Sequence, residues 1–87
     1  MILRIGDKII KPKDLLKQQY VFNHNWVAKY CRIHSSDCYH YMKRATKTQG
    51  GWSKIYDSYD EVYNACAQRV SKEKIFHCKD CWIIEPL

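Results

Sequence analysis

Five cysteines, at positions 31, 38, 66, 78 and 81, constrain this chain more than any other feature. A chain of 87 residues has room for one small core, because at this length only roughly 60–65% of the unfolded surface is buried on folding. What the thiols do therefore bears directly on the fold. Their odd number, and the lack of a leader-like apolar run in residues 1–5, argue for reduced thiols and a cytoplasmic protein rather than a disulfide framework. No stretch approaches the roughly 18 apolar residues of a membrane span, so a membrane is not an expected partner.

The spacing of the cysteines offers a metal reading. Cys31-Arg32-Ile33-His34 is a Cys-x2-His, and Cys78-Lys79-Asp80-Cys81 is a Cys-x2-Cys. Zinc takes four tetrahedral Cys or His ligands, and a two-residue gap lets a tight turn bring both side chains to one ion. One structural zinc on Cys31, His34, Cys78 and Cys81 is the arrangement this spacing favours, with Cys38 or His77 as replacements. The opposing reading is that the thiols are core residues and no cofactor is bound, since free cysteine is among the most buried residue types. In a straight strand, moreover, residues three apart point to opposite faces, so Cys78 and Cys81 share an ion only if the chain bends between them. A thiol-redox role for Cys78 and Cys81 is not expected. That chemistry places the first cysteine at a helix N-terminus, whereas an apolar strand-like segment ending in Pro86 follows Cys81.

Local patterning gives a small α+β domain spanning residues 1–87. Two β-branched runs flank Gly6-Asp7, which predicts an N-terminal hairpin. Pro12 suits a first helical turn, and Leu15, Leu16 and Tyr20 give a rough apolar side, predicting a short helix near 12–20. Residues 26–46 fit either a helical stripe or strands. Strands are preferred for their Tyr, Trp and Met content, with a turn at His34-Ser35-Ser36-Asp37. Strands at 26–33, 38–46 and 52–57 then make a three-stranded antiparallel meander, the last two joined at Gly50-Gly51. Ser58 with Glu61 three residues later is a capping box, and Tyr59, Val62, Tyr63, Cys66 and Val70 form an apolar stripe, predicting the main helix over 59–70. A closing C-terminal strand is predicted over 75–84. Three strands, a glycine turn and a capped helix over residues 26–70 resemble in outline the small three-stranded DNA-binding domains of phage-type integrases and plant AP2 factors.

The charge is concentrated rather than spread. Residues 1–54 hold eleven Lys and Arg against three Asp and Glu, a balance of +8, whereas residues 55–87 hold four against six, a balance of −2. Such asymmetry points to one face that meets an anionic partner. Read as a hairpin, 39–56 interleaves Lys43, Arg44, Lys47 and Lys54 with Tyr39, Tyr41, Trp52 and Tyr56, an aromatic and cationic surface. This surface suits an acidic or nucleic-acid-handling protein, with Trp, Tyr and Arg as anchors. It also suits nucleic acid itself, through phosphate neutralisation and stacking. A non-enzymatic binding protein, of the regulator or inhibitor kind that mobile elements encode, is the expectation. The alternative enzyme is a small basic ribonuclease using His24, His34, His40 or His77, but these have no motif spacing, and no small-molecule substrate is evident.

Overall fold

The computed structural model describes residues 2–13, 19–44 and 51–86, the Arg44 side chain excepted. The N-terminal hairpin forms where the Gly-Asp pair places it. β1 (Leu3–Ile5) and β2 (Lys8–Pro12) pair antiparallel, with Leu3 opposite Ile10 and Ile5 opposite Lys8. Gly6 takes φ +61° in the two-residue turn, a conformation that hairpin turns require and that a Cβ disfavours. Pro12 ends β2 instead of opening a helix, and Tyr20 already belongs to β3 (Tyr20–Asn25). The remainder of the expected 12–20 helix falls on residues 14–18, outside the described residues.

Two three-stranded sheets organise the domain. The first has the order β1-β2-β6, where β6 is Trp82–Pro86 and runs antiparallel to β2. The second has the order β3-β4-β5, with β4 (Tyr30–Ser35) antiparallel to β3 and β5 (Ile75–His77) parallel to β4. The predicted closing strand over 75–84 is thus two strands in different sheets. A turn at Cys78-Lys79-Asp80-Cys81 separates them, closed by the Trp82 N–H donating to the Cys78 carbonyl at 3.0 Å.

The α+β class holds, but the meander over 26–57 is corrected. Residues 26–29 form the β3–β4 turn, because the Asn25 side chain accepts from the amides of Val27 and Ala28 and competes with strand pairing. Residues expected to begin the 38–46 strand form the short helix α1 (Tyr39–Arg44). The chain turns after β4 through Cys38 N–H donating to the Ser35 carbonyl, and Met42 N–H then donates to the Cys38 carbonyl. In a helix Cys38 and Tyr41, three apart, share one face, whereas a strand would split them. The expected strand at 52–57 is an interrupted edge along β3, bridged at Asn23–Trp52 and Tyr20–Tyr56. Between these bridges the Ser53 hydroxyl accepts from the Phe22 amide and so replaces a ladder carbonyl. Of the predicted glycine turn, Gly51 is described and Gly50 is not.

The main helix, α2 (Tyr59–Ala67), starts where the capping box predicts. Ser58 has extended backbone angles and its hydroxyl accepts from the Glu61 amide at 3.2 Å. Tyr59, Val62, Ala65 and Cys66 are buried against the second sheet. The core joins Tyr20 and Phe22 of β3, Cys31 and Ile33 of β4, Ile75 of β5 and Trp82 of β6 to this helix. Ile10 brings the first sheet into the same cluster.

Gly51 is fixed by space as well as by conformation. It takes φ +104°, and a Cβ there would sit 2.5 Å from the His24 carbonyl oxygen, whose own amide donates to the Gly51 carbonyl. Gly51→Ala is therefore expected to destabilise the domain by about 1–3 kcal/mol, read as a lowered midpoint in urea. An unchanged midpoint would show that the 51–56 edge contributes nothing to folding.

Candidate metal centre

His34, Cys38, Cys78 and Cys81 converge at the end of the second sheet, all four buried, with one ligand atom of each within 4.8 Å of the others. The convergence follows from chain geometry. His34 is next to last in β4, and Ser36-Asp37 turns the chain so that Cys38 enters α1 facing back on it. Cys78 leaves β5 with its amide donating to the Ile33 carbonyl at 3.0 Å. The turn to Cys81 then supplies the bend that a straight strand lacks.

The distances fit a tetrahedral ion. Bonds of about 2.3 Å to sulfur and 2.0 Å to nitrogen imply about 3.8 Å between two sulfurs and about 3.5 Å between sulfur and nitrogen. Cys38 Sγ lies 3.9 Å from Cys78 Sγ and 3.4 Å from His34 Nδ1. Each sulfur also meets backbone donors. The Ser35 amide donates to Cys81 Sγ at 3.4 Å, the His40 amide to Cys38, and the amides of Asp80 and Cys81 to Cys78. Such donors stabilise sulfur as thiolate, the form that binds metal.

The three thiols of the cluster are shifted in opposite directions. Hydrogen bonding from the Cys81 thiol holds Cys38 down to about 3 against burial, with His34 and the His40 amide adding to the effect. Cys81 is pushed up, first by that same bond and then by burial, and burial raises Cys78. A divalent cation among the three sulfurs would supply the charge that makes the other two ionise, and its binding would release protons. Trp52 covers the cluster, its ring 5.1 Å from that of His34, and Tyr41 packs edge-on against Trp52 at 5.2 Å. Asp80 makes a close hydrogen-bonded pair with His40 beside it.

Three of the four residues singled out from spacing meet here, and Cys38 stands where Cys31 was expected. Cys31 and His34 are three apart in a regular strand, so they face opposite sides of the sheet. Cys31 instead hydrogen-bonds Cys66 of α2, and burial raises both thiols, which are fully enclosed core groups. His77 is turned away from Cys78 by the same alternation and bonds the Tyr59 hydroxyl through Nε2 at 2.7 Å.

The predicted 39–56 surface is divided between helix and edge. Tyr39 and Lys43 are exposed on α1, with Lys43 Nζ donating to the Tyr39 hydroxyl at 2.9 Å. Tyr41 and Trp52 are half-buried over the cluster, whereas Lys54 is exposed above the ring of the half-buried Tyr56. Lys47 and the Arg44 side chain lie outside the described residues. Among the described residues, no helix is long and apolar enough to cross a membrane. No family model, curated protein or solved structure matches the chain.

His77 gives a separate pH signature. Burial lowers it from an ordinary imidazole value near 6.5 to about 4, so the folded protein takes up its proton later than the unfolded chain. Stability from this site is complete above pH 6.5 and is lost as pH falls towards 4, by roughly 3 kcal/mol in all. The unfolding free energies of wild type and His77→Gln are expected to converge over that window. Parallel curves would contradict a buried neutral imidazole.

Proposed function

We propose that this chain is a small non-enzymatic binding domain, held together by one structural zinc on His34, Cys38, Cys78 and Cys81, that offers its cationic, aromatic surface to an anionic partner. The convergence of four buried His and Cys ligand atoms within 4.8 Å of one another carries this reading. Three thiolates and an imidazole favour zinc over the hard cations, which take oxygen ligands. Four protein ligands also leave no open position for a substrate or an activated water, as in structural rather than catalytic zinc sites.

The charge balance of +8 in residues 1–54 supports the choice of an anionic partner. Two of the four histidines available to a ribonuclease are otherwise engaged, His34 in the cluster and His77 against Tyr59 and Trp82. Native mass spectrometry of the purified protein should give a mass one zinc higher than after acid denaturation. Equal masses would overturn the zinc assignment.

A further inference from the structure

Phe22 and His24 occupy alternate positions of β3 and so project to one side, and Trp26, in the turn just beyond, lines the same groove. The row climbs from the core to solvent: Phe22 is 3% exposed and Trp26 72%. The His24 ring lies 4.4 Å from that of Trp26. The tip that presents Trp26 is well braced. Asn25 Oδ1 accepts from Val27 and Ala28 at 3.1 and 2.8 Å, the Lys29 amide donates to the Asn25 carbonyl at 2.8 Å, and Lys29 takes φ +59°.

Across from this row, Tyr56 stacks on Phe22 with ring centroids 6.2 Å apart. Lys54 Nζ stands 5.2 Å from the Tyr56 ring centre. The Arg69 guanidinium lies 5.0 Å from that of Phe22, tethered to the Ala65 carbonyl at 2.6 Å. These six residues line a shallow groove with Gly51, Trp52 and Ser53, and no carboxylate is among the described residues that line it.

We propose that this groove binds single-stranded nucleic acid, with a base stacked on Trp26 and the sugar-phosphate chain running past Lys54 and Arg69. The proposal deepens the binding-domain reading above and rests on it. An exposed indole beside fixed cations matches a ligand that is both flat and anionic, the pairing that single-strand grooves use. In a duplex the bases are stacked on one another and do not reach an indole face. A peptide of acidic residues alone satisfies Lys54 and Arg69 but leaves Trp26 uncovered.

The test uses the zinc-loaded full chain and an end-labelled oligothymidylate of about ten nucleotides, followed by fluorescence anisotropy, with a duplex of equal length and polyglutamate as comparisons. The single strand should bind most tightly. Trp26→Ala should weaken it roughly ten-fold or more, while Trp26→Phe should retain most of the affinity. Lys54→Gln should reduce the slope of log affinity against log salt by about 0.7. Trp26 and Lys54 are exposed, so unchanged thermal unfolding will show that the variants fold. Polyglutamate binding as tightly as the oligonucleotide, or no effect of Trp26→Ala, would overturn the groove and leave the binding-domain reading in place. Failure to bind any of the three polyanions at low salt would overturn both.

Discussion

Cys78→Ser is expected to abolish cooperative folding, and a strong zinc chelator to do the same to the wild type. Cys78 and Cys81 flank the turn that passes the chain from one sheet to the other, while His34 and Cys38 flank the turn from β4 into α1. One ion on all four would therefore tie both sheets and the short helix at a single point. Structural zinc in small domains contributes about 10–16 kcal/mol of apparent binding free energy at neutral pH. A domain of ordinary stability has only about 5–15 kcal/mol in total, so loss of a ligand is comparable to the whole. Far-UV circular dichroism and thermal melts of the variant should show a broad, non-cooperative transition. Cys31→Ala is the matched comparison: it truncates a core thiol that bonds Cys66, and should lose some stability while retaining bound zinc. A Cys78→Ser protein that melts cooperatively within a few degrees of wild type would contradict the coupling of metal to fold.

Trp82→Ala is expected to cost about 3–5 kcal/mol, the range for removing a large aromatic side chain from a packed core. Trp82 is 1% exposed, and although it belongs to the first sheet its ring packs in the core of the second. It stacks on Tyr20 at 5.8 Å and meets Tyr59 and His77 edge-on at 5.6 and 5.0 Å. Its indole Nε1 is buried without a hydrogen-bond partner among the described residues, a desolvated donor that phenylalanine lacks. Trp82→Phe should therefore cost much less than Trp82→Ala in urea denaturation at saturating zinc. Equal losses for the two variants would show that the ring stack is not what joins the sheets.

Sequence legibility tracked how local each determinant is. The Gly6-Asp7 hairpin and the Ser58–Glu61 cap were readable because each is set by residues within a few positions of one another. The 38–46 segment was misread because Tyr39 and Tyr41 fit a strand by propensity, while the need to turn Cys38 back towards His34 is tertiary. The same segment decides the ligand set. Cys31 and His34 have an attractive spacing, but once residues 30–35 form a regular strand the alternation of faces excludes Cys31 and leaves the thiol beyond the turn. The bend between Cys78 and Cys81 was legible only as a requirement, since neither Gly nor Pro marks it. The row of Phe22, His24 and Trp26 follows from β3, a strand that the local pattern of residues 20–25 did not announce, and Arg69 comes to it from 43 residues beyond Trp26.

Zinc K-edge X-ray absorption of the purified protein tests the metal centre most directly. A first shell of three sulfurs at about 2.3 Å and one nitrogen at about 2.0 Å is expected, and Cys31→Ala, which removes a thiol outside the cluster, should leave it unchanged. A shell of light atoms alone, or a sulfur lost in Cys31→Ala, would contradict a zinc held by His34, Cys38, Cys78 and Cys81.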